Sequence, residues 1–211
     1  MIETMIALVV FAIVMGAVGA TVLTGGGAFN QNLVSSSAEI RAQRMVDRIV
    51  SEISNAGSGT LSGPGADLFV PTGSSAGEQA WIDFQQNEGY AGGVTWGTNS
   101  RIALIYDEAN DGVDNNSNGL IDECRVVLIR DQGGPSEQTV RWGGYVREYL
   151  QGETPDLADE NGNGMVDERG LSFELDPITN TLTIRLTIEL IDIKLQRPMT
   201  RTVETAVQLR N

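Results

Sequence analysis

The nineteen residues Met5–Leu23, MIALVVFAIVMGAVGATVL, contain no charged side chain. That is close to the roughly 20 apolar residues that a helix needs to span a bilayer. A secretory signal carries a basic front and a shorter apolar core. Here the front is Met1-Ile2-Glu3-Thr4, acidic and without Lys or Arg. A carboxylate at the mouth of an apolar segment is costly, so Glu3 calls for a partner.

Beyond TGGGAFN (Thr24–Asn30) the helical pattern resumes. Val34, Ala38, Ala42, Met45, Val46, Ile49, Val50 and Ile53 fall on one arc at 100° per residue, with Arg41, Arg44, Asp47, Arg48 and Ser51 opposite. NAGSG at Asn55–Gly59 stops the helix. The pattern predicts an apolar half (1–24) and an amphipathic half (28–55). Between them Gly25–Gly27 each weaken a helix by roughly 1 kcal/mol, so this joint is expected to stretch or melt.

The opening MIETMIALVVFAIVMGAVGATVL resembles the N-terminal helix of type IV pilins and type II secretion pseudopilins. The resemblance is close over about 25 residues and looser along the helix beyond. That family's mature chain opens Phe-Thr-Leu-Ile-Glu. Aligning Met1-Ile2-Glu3 with its last three residues makes Glu3 the family glutamate. Two leading residues and the prepilin leader would then lie outside this chain, as in a processed or trimmed form. The resemblance implies an inner-membrane anchor before assembly and a bundle of neighbouring helices afterwards. Glu3 would there neutralise a neighbour's terminal ammonium, a pair costly to break in an apolar core. RAQRMVDRIVSEISNAG is similar to the helix end of J-type pseudopilins and PilW-like minor pilins, and VETAVQLRN to the close of the same subgroup.

Residues 56–211 read as a β-rich head. Gly57–Gly77 is rich in Gly, Ser and Pro and is expected to be a loop. Strands are expected at Trp81–Gln85, Val94–Thr98, Arg101–Tyr106, Arg125–Arg130, Thr139–Leu150 and Leu171–Leu175. The clearest is Thr181–Ile193, where Leu182, Ile184, Leu186, Ile188 and Leu190 alternate with Thr183, Arg185, Thr187 and Glu189. Thr202–Leu209 repeats the alternation, with Arg197-Pro198 marking the turn between. One long helix on an antiparallel sheet is an α+β module.

Two acidic segments interrupt that head. DNNSNGLIDE (Asp114–Glu123) and DENGNGMVDE (Asp159–Glu168) share one pattern at a spacing of 45 residues. Their positions match those of a calcium loop, with donors at 1, 3, 5 and 9, glycine at 6, and a main-chain carbonyl at 7. In the first copy these are Asp114, Asn116, Asn118, Asp122 and Leu120. In the second they are Asp159, Asn161, Asn163, Asp167 and Met165. Every donor is a hard oxygen, suited to Ca²⁺. The helices of an EF-hand are missing, and Arg125 and Gly170 stand where its bidentate glutamate belongs. Glu123 and Glu168 can substitute if the chain turns sharply, and Asp107 and Asp111 can add ligands to the first site. The loops resemble those of dockerin and thrombospondin type 3 repeats. The expectation is two calcium ions, in loops at 107–123 and 156–168, of weak extracellular-type affinity near 10⁻⁴–10⁻³ M. The competing reading is two solvated Asx-rich turns.

Charge supports a local counterion. The chain carries 28 acidic and 14 basic residues, for a net charge of −14. The two loops hold eleven of those acids and no base, and the remainder is nearly balanced. A nucleic-acid partner gains no support from this balance. The absence of histidine removes most zinc chemistry and Ser/His or Cys/His catalysis, and a carboxylate pair for glycoside hydrolysis needs a cleft that Asn-rich turns do not announce. No enzyme is expected. Cys124, alone, is expected to be buried at a strand edge. Trp81, Tyr90, Trp96, Trp142, Tyr145 and Tyr149 read as core or sheet-face residues, or as an adhesive patch.

These readings converge on an extracellular filament subunit of the type IV pilus class, homopolymeric, anchored in the inner membrane before assembly and handled by pilus or secretion machinery. A minor pseudopilin at the tip of a secretion or pilus complex and a membrane-anchored calcium-dependent adhesin are the alternatives.

Overall fold

The computed structural model describes residues 2–63, 81–162, 165–176, 178–192 and 194–209. From residue 64 onward the expected Gly/Ser/Pro loop lies outside these, as do Asn163 and Ile193. The fold is α+β, with a 52-residue helix, α1 (Ile2–Ile53), packed on a seven-stranded antiparallel sheet. The strands are β1 (Trp81–Tyr90), β2 (Val94–Tyr106), β3 (Cys124–Arg130), β4 (Gln138–Val146), β5 (Leu171–Asp176), β6 (Thr181–Asp192) and β7 (Arg197–Gln208).

The amphipathic arc of α1 is the one read from the sequence. Ala38, Ala42, Met45, Val46, Ile49 and Ile53 are buried, Val34 and Val50 are half-buried, and Arg41, Arg44, Asp47, Arg48 and Ser51 face solvent. This face lies on β6 and β7. Four polar contacts fix its rotation and height. Asn30 Nδ2 donates to Asp192 Oδ1 at 2.9 Å, Arg201 Nε to Ser35 Oγ at 2.8 Å, and Gln86 Nε2 to the Glu52 carbonyl at 3.0 Å, while Glu52 pairs with Arg130 at 2.6 Å. The expected break at Gly25–Gly27 is absent, and α1 runs through the three glycines as regular helix. Their cost of about 1 kcal/mol each is offset by cooperativity, because an established helix adds one hydrogen bond per residue on either side.

The sheet order is β1-β2-β3-β4-β6-β5, with β7 also paired to β6. β6 therefore has three neighbours. β5 pairs along Thr181–Leu186 and β4 touches at Ile188, so these two share one edge, while β7 takes the other along the whole strand. Leu182, Ile184, Leu186 and Ile188 are buried against α1, as their alternation requires. The opposite face is not open to water: Thr187 is buried and Arg185 is half-covered.

Several strand boundaries differ from the sequence reading, and β1 runs five residues past the expected Gln85, to Tyr90. Val94–Thr98 and Arg101–Tyr106 are one strand, β2, because Asn99 and Ser100 stay paired with Gln85 and Phe84. β4 ends at Val146, four residues early, where the chain leaves to form a loop. The β6–β7 turn falls at 194–196, and Arg197 and Pro198 already pair with Asp192 and Ile191. Proline is tolerated there because β7 is an outer strand and needs no second ladder of N–H bonds.

Candidate functional site

Two long connections carry the duplicated motif. The first leaves β2 at Tyr106 and returns at Cys124, closed by the Asp107 N–H on the Glu123 carbonyl at 2.9 Å. The second leaves β4 and returns to β5, closed by the Leu150 N–H on the Glu168 carbonyl, also at 2.9 Å. Structureless loops this long are uncommon in compact domains, and side-chain carboxylates hold these two together.

In the first loop Asp114 accepts the backbone N–H groups of Asn118 (3.1 Å) and Gly119 (2.8 Å). Asn116 Oδ1 also takes the Asn118 N–H, and Asn118 Oδ1 takes that of Leu120 at 2.8 Å. Asp122 caps the loop's start by accepting from Asp111 and Gly112. Glu123, at tenth position, folds under the loop and is 2% exposed. The side-chain amides of Asn116 (2.7 Å) and Asn118 both donate to its Oε1, while its Oε2 has no partner. The Leu120 side chain is buried and anchors the loop.

The second loop repeats this construction. Asp167 accepts from Asp156 and Leu157, both at 3.0 Å, as Asp122 does from Asp111 and Gly112. Gly112 and Leu157, Ser117 and Gly162, and Asp122 and Asp167 all have positive φ, so the backbone turns are duplicated as well. Leu157 holds its left-handed φ of 65° without the freedom of glycine. Asp159 accepts the Gly162 N–H at 2.6 Å, and Asn161 Nδ2 donates to Glu168 Oε2 at 2.8 Å. Glu168 is fully buried, and Met165 and Val166 are buried beside it. The loop sits on the outer face of β6, where Arg185 reaches Glu168 (3.7 Å), Glu174 (2.9 Å) and Glu204 (2.7 Å).

The structure therefore gathers Asn116, Asn118 and Glu123 in one copy and Asn161 and Glu168 in the other. Asp114, Asp122, Asp159 and Asp167 spend oxygens on backbone N–H groups that shape the turns. Asp107 is paired with Arg125 and lines the same cleft as Asn116, Asn118 and Glu123, and Asp111 accepts from Val113 and Asn115. Among the described residues no three acidic or thiol side chains converge on one point. The donor sets are mixed carboxylate and amide, all hard oxygen or convertible to it by turning an amide.

Sequence reasoning missed two residues. Glu108 accepts the N–H groups of Asn115 (2.8 Å), Asn116 (3.1 Å) and Asp122 (3.0 Å), and its carboxyl lies against that of Glu123. That contact raises the Glu108 pKa; burial acts to raise that of Glu123, but its hydrogen bonds to Glu108, Asn116 and Asn118 hold it low. Glu153 is 1% exposed, and neither of its oxygens has a hydrogen-bond partner. Burial, then the charge of Glu168 and the adjacent Glu160 carboxyl, push its carboxyl up to about 7. The Asn161 backbone N–H pulls the other way from close by, without closing a bond. The signal was present in the sequence: carried further upstream, the 45-residue offset pairs Glu108 with Glu153.

A cleft of ≈ 630 Å³ is lined by Asn116, Asn118 and Glu123 together with Arg125 and Arg141, and one of ≈ 530 Å³ reaches Asn161 and Arg185. Asn110 Nδ2 and Arg169 Nη2 both donate to the Tyr106 hydroxyl, which bonds Glu148, so the two loops share one polar joint. Cys124 is buried at the start of β3, and burial pushes its thiol up to about 12.

The aromatic side chains are dispersed. Trp81 lies under the Arg101 guanidinium at 3.8 Å, Tyr145 meets Arg41 at 5.2 Å and Tyr149 meets Arg169 at 4.9 Å. Trp142 packs on the core, and Trp96 is half-buried beside Gly57. Tyr90 stands exposed at the β1–β2 hairpin.

The other feature without a covering partner is α1 itself. Every residue from Ile2 to Gly26 is exposed, Glu3 among them in the first turn. The segment is long and apolar enough to cross a membrane. A long apolar N-terminal helix packed on an antiparallel sheet is a pilin-like architecture. No family model, curated protein or solved structure matches the chain.

Proposed function

We propose that the chain is a structural subunit of a type IV pilus-like filament, polymerising through the apolar half of α1, with the head stabilised by calcium in its two acidic loops. The observation that carries this is the exposure of residues 2–26 on all sides of one rigid helix. A soluble protein does not leave a continuous apolar surface of that size bare. A lipid bilayer covers it before assembly, and the same segments of neighbouring subunits cover it afterwards. Glu3 is the one charge in that half of the rod. In a helical bundle it needs a cation, and a neighbour's terminal ammonium is the nearest chemistry that supplies one.

The head projects from the far end of the same helix. Its loops contribute no catalytic arrangement to this reading; they hold long connections closed, as disulfides do elsewhere. Hard-oxygen donors and paired carboxylates favour calcium over softer metals.

Single cysteines at Val9 and Val14, in a Cys124→Ser background, test the helix. Oxidation of intact cells is expected to yield ladders of linked subunits from at least one position. Monomers alone at both positions would overturn the reading.

A further inference from the structure

Overlaying the loops by their hydrogen bonds lengthens the repeat to sixteen positions, Glu108–Glu123 and Glu153–Glu168, beginning and ending on glutamate. Eight of these are identical: both terminal glutamates, three aspartates, two asparagines and one glycine. In both copies the second and third aspartates of each loop fix the turn. The glutamates do something else, since first and last positions come together although fourteen residues separate them. Glu108 lies against Glu123; Glu153 bonds back to Leu150, whose own N–H closes on Glu168, and its carboxyl feels both Glu168 and Glu160.

Two carboxylates brought together out of water repel unless a shared proton or a cation stands between them. In the second copy Glu153 is 1% exposed and Glu168 fully buried. Arg185 reaches Glu168 at 3.7 Å, but neither oxygen of Glu153 has a donor. A buried carboxylate with no hydrogen bond is among the most costly groups that a fold can contain. In the first copy the unsatisfied atom is Glu123 Oε2, on the carboxylate that both asparagine amides already face. The two asparagine amides of that copy can present oxygen instead of nitrogen by a half-turn, giving up the backbone N–H bonds that their oxygens now accept.

We infer that each sixteen-residue segment is one cation module in which the first and last glutamates, Glu108 with Glu123 and Glu153 with Glu168, clamp a calcium-sized divalent ion from opposite sides. The inference rests on the calcium reading proposed above and adds the residue that completes each site. Calcium suits such a clamp because it accepts irregular sets of six to eight oxygens, whereas magnesium demands an octahedron and keeps its waters. The copies are unequal. Glu108 already serves three backbone N–H groups, whereas Glu153 serves none, so the second module depends more on its ion.

The test is calcium titration of the full chain in detergent micelles by isothermal calorimetry, with melting followed in calcium and in chelator. Wild type is expected to bind two ions. Glu153→Gln is expected to weaken one site at least tenfold, and Glu108→Gln to weaken the other by less. Glu153→Gln should also melt above wild type in chelator, having lost a buried charge, and below it in calcium. A purely structural glutamate would shift both melts the same way. If wild type and both variants bind two ions alike, the clamp is overturned and the calcium reading stands. Loss of folding of Glu153→Gln in chelator would also overturn the clamp. If wild type binds none, both fall.

Discussion

Glu168 and Arg185 show how much a single residue decides here. Glu168 is fully buried, and Arg185 is its basic neighbour while also holding Glu174 and Glu204. Removing one partner of a buried ion pair strands the other, at about 3–5 kcal/mol. Arg185→Ala is therefore expected to lower the unfolding free energy by that order in chelator and by clearly less in saturating calcium, where the proposed ion would replace the lost charge. Equal losses in both conditions would mean that no ion shares the site. Cys124 gives a simpler expectation. With its thiol at about 12 and fully buried, thiolate is scarce at pH 8 and access is closed. A thiol reagent should label one group per chain in denaturant and almost none in the native state.

At the scale of elements, α1 divides into two parts with different consequences for stability. Ile49 is fully buried against the sheet, so Ile49→Ala is expected to cost about 2–5 kcal/mol of head stability. Ile13 is exposed, and Ile13→Ala should leave the melt of the detergent-solubilised chain unchanged while reducing assembly. If both variants melted alike, the division between rod and anchor would be wrong. Gly25–Gly27 are helical but carry no side-chain packing. Amide exchange is expected to be faster at residues 24–30 than at 45–53, because glycine lowers the local cost of opening.

Elements are also where the sequence was most and least legible. The burial of Ala38 through Ile53 and the alternation of β6 followed from period alone, since each element buries one face. Continuity at the glycines did not, because helix propensity is a weak prior that cooperativity overrides. The turn before β7 was misplaced because proline breaks a central strand but not an outer one. Asn116, Asn118 and Glu123 were legible as a cluster from spacing. Glu108 and Glu153 were not, since they stand six positions before the repeated ten-residue motifs and come into play only when the chain closes.

The whole molecule is an apolar rod joined to an acidic head. Most of its charge of −14 lies in two loops, so the proposed calcium would act on the head and not on the rod. Chelation is expected to lower the melting temperature of the head, and Asp114→Ala with Asp159→Ala to abolish that response. A melt indifferent to chelator would leave the loops as plain Asx turns. The central claim, however, concerns the rod, and one measurement reaches it directly: immunogold labelling of this chain in negatively stained filaments sheared from the cell surface. Gold along the whole length of the filaments is the predicted result, and its loss in Glu3→Ala cells would place that glutamate in assembly. Gold only at filament tips, or only on membrane fragments with no filaments labelled, would contradict the account.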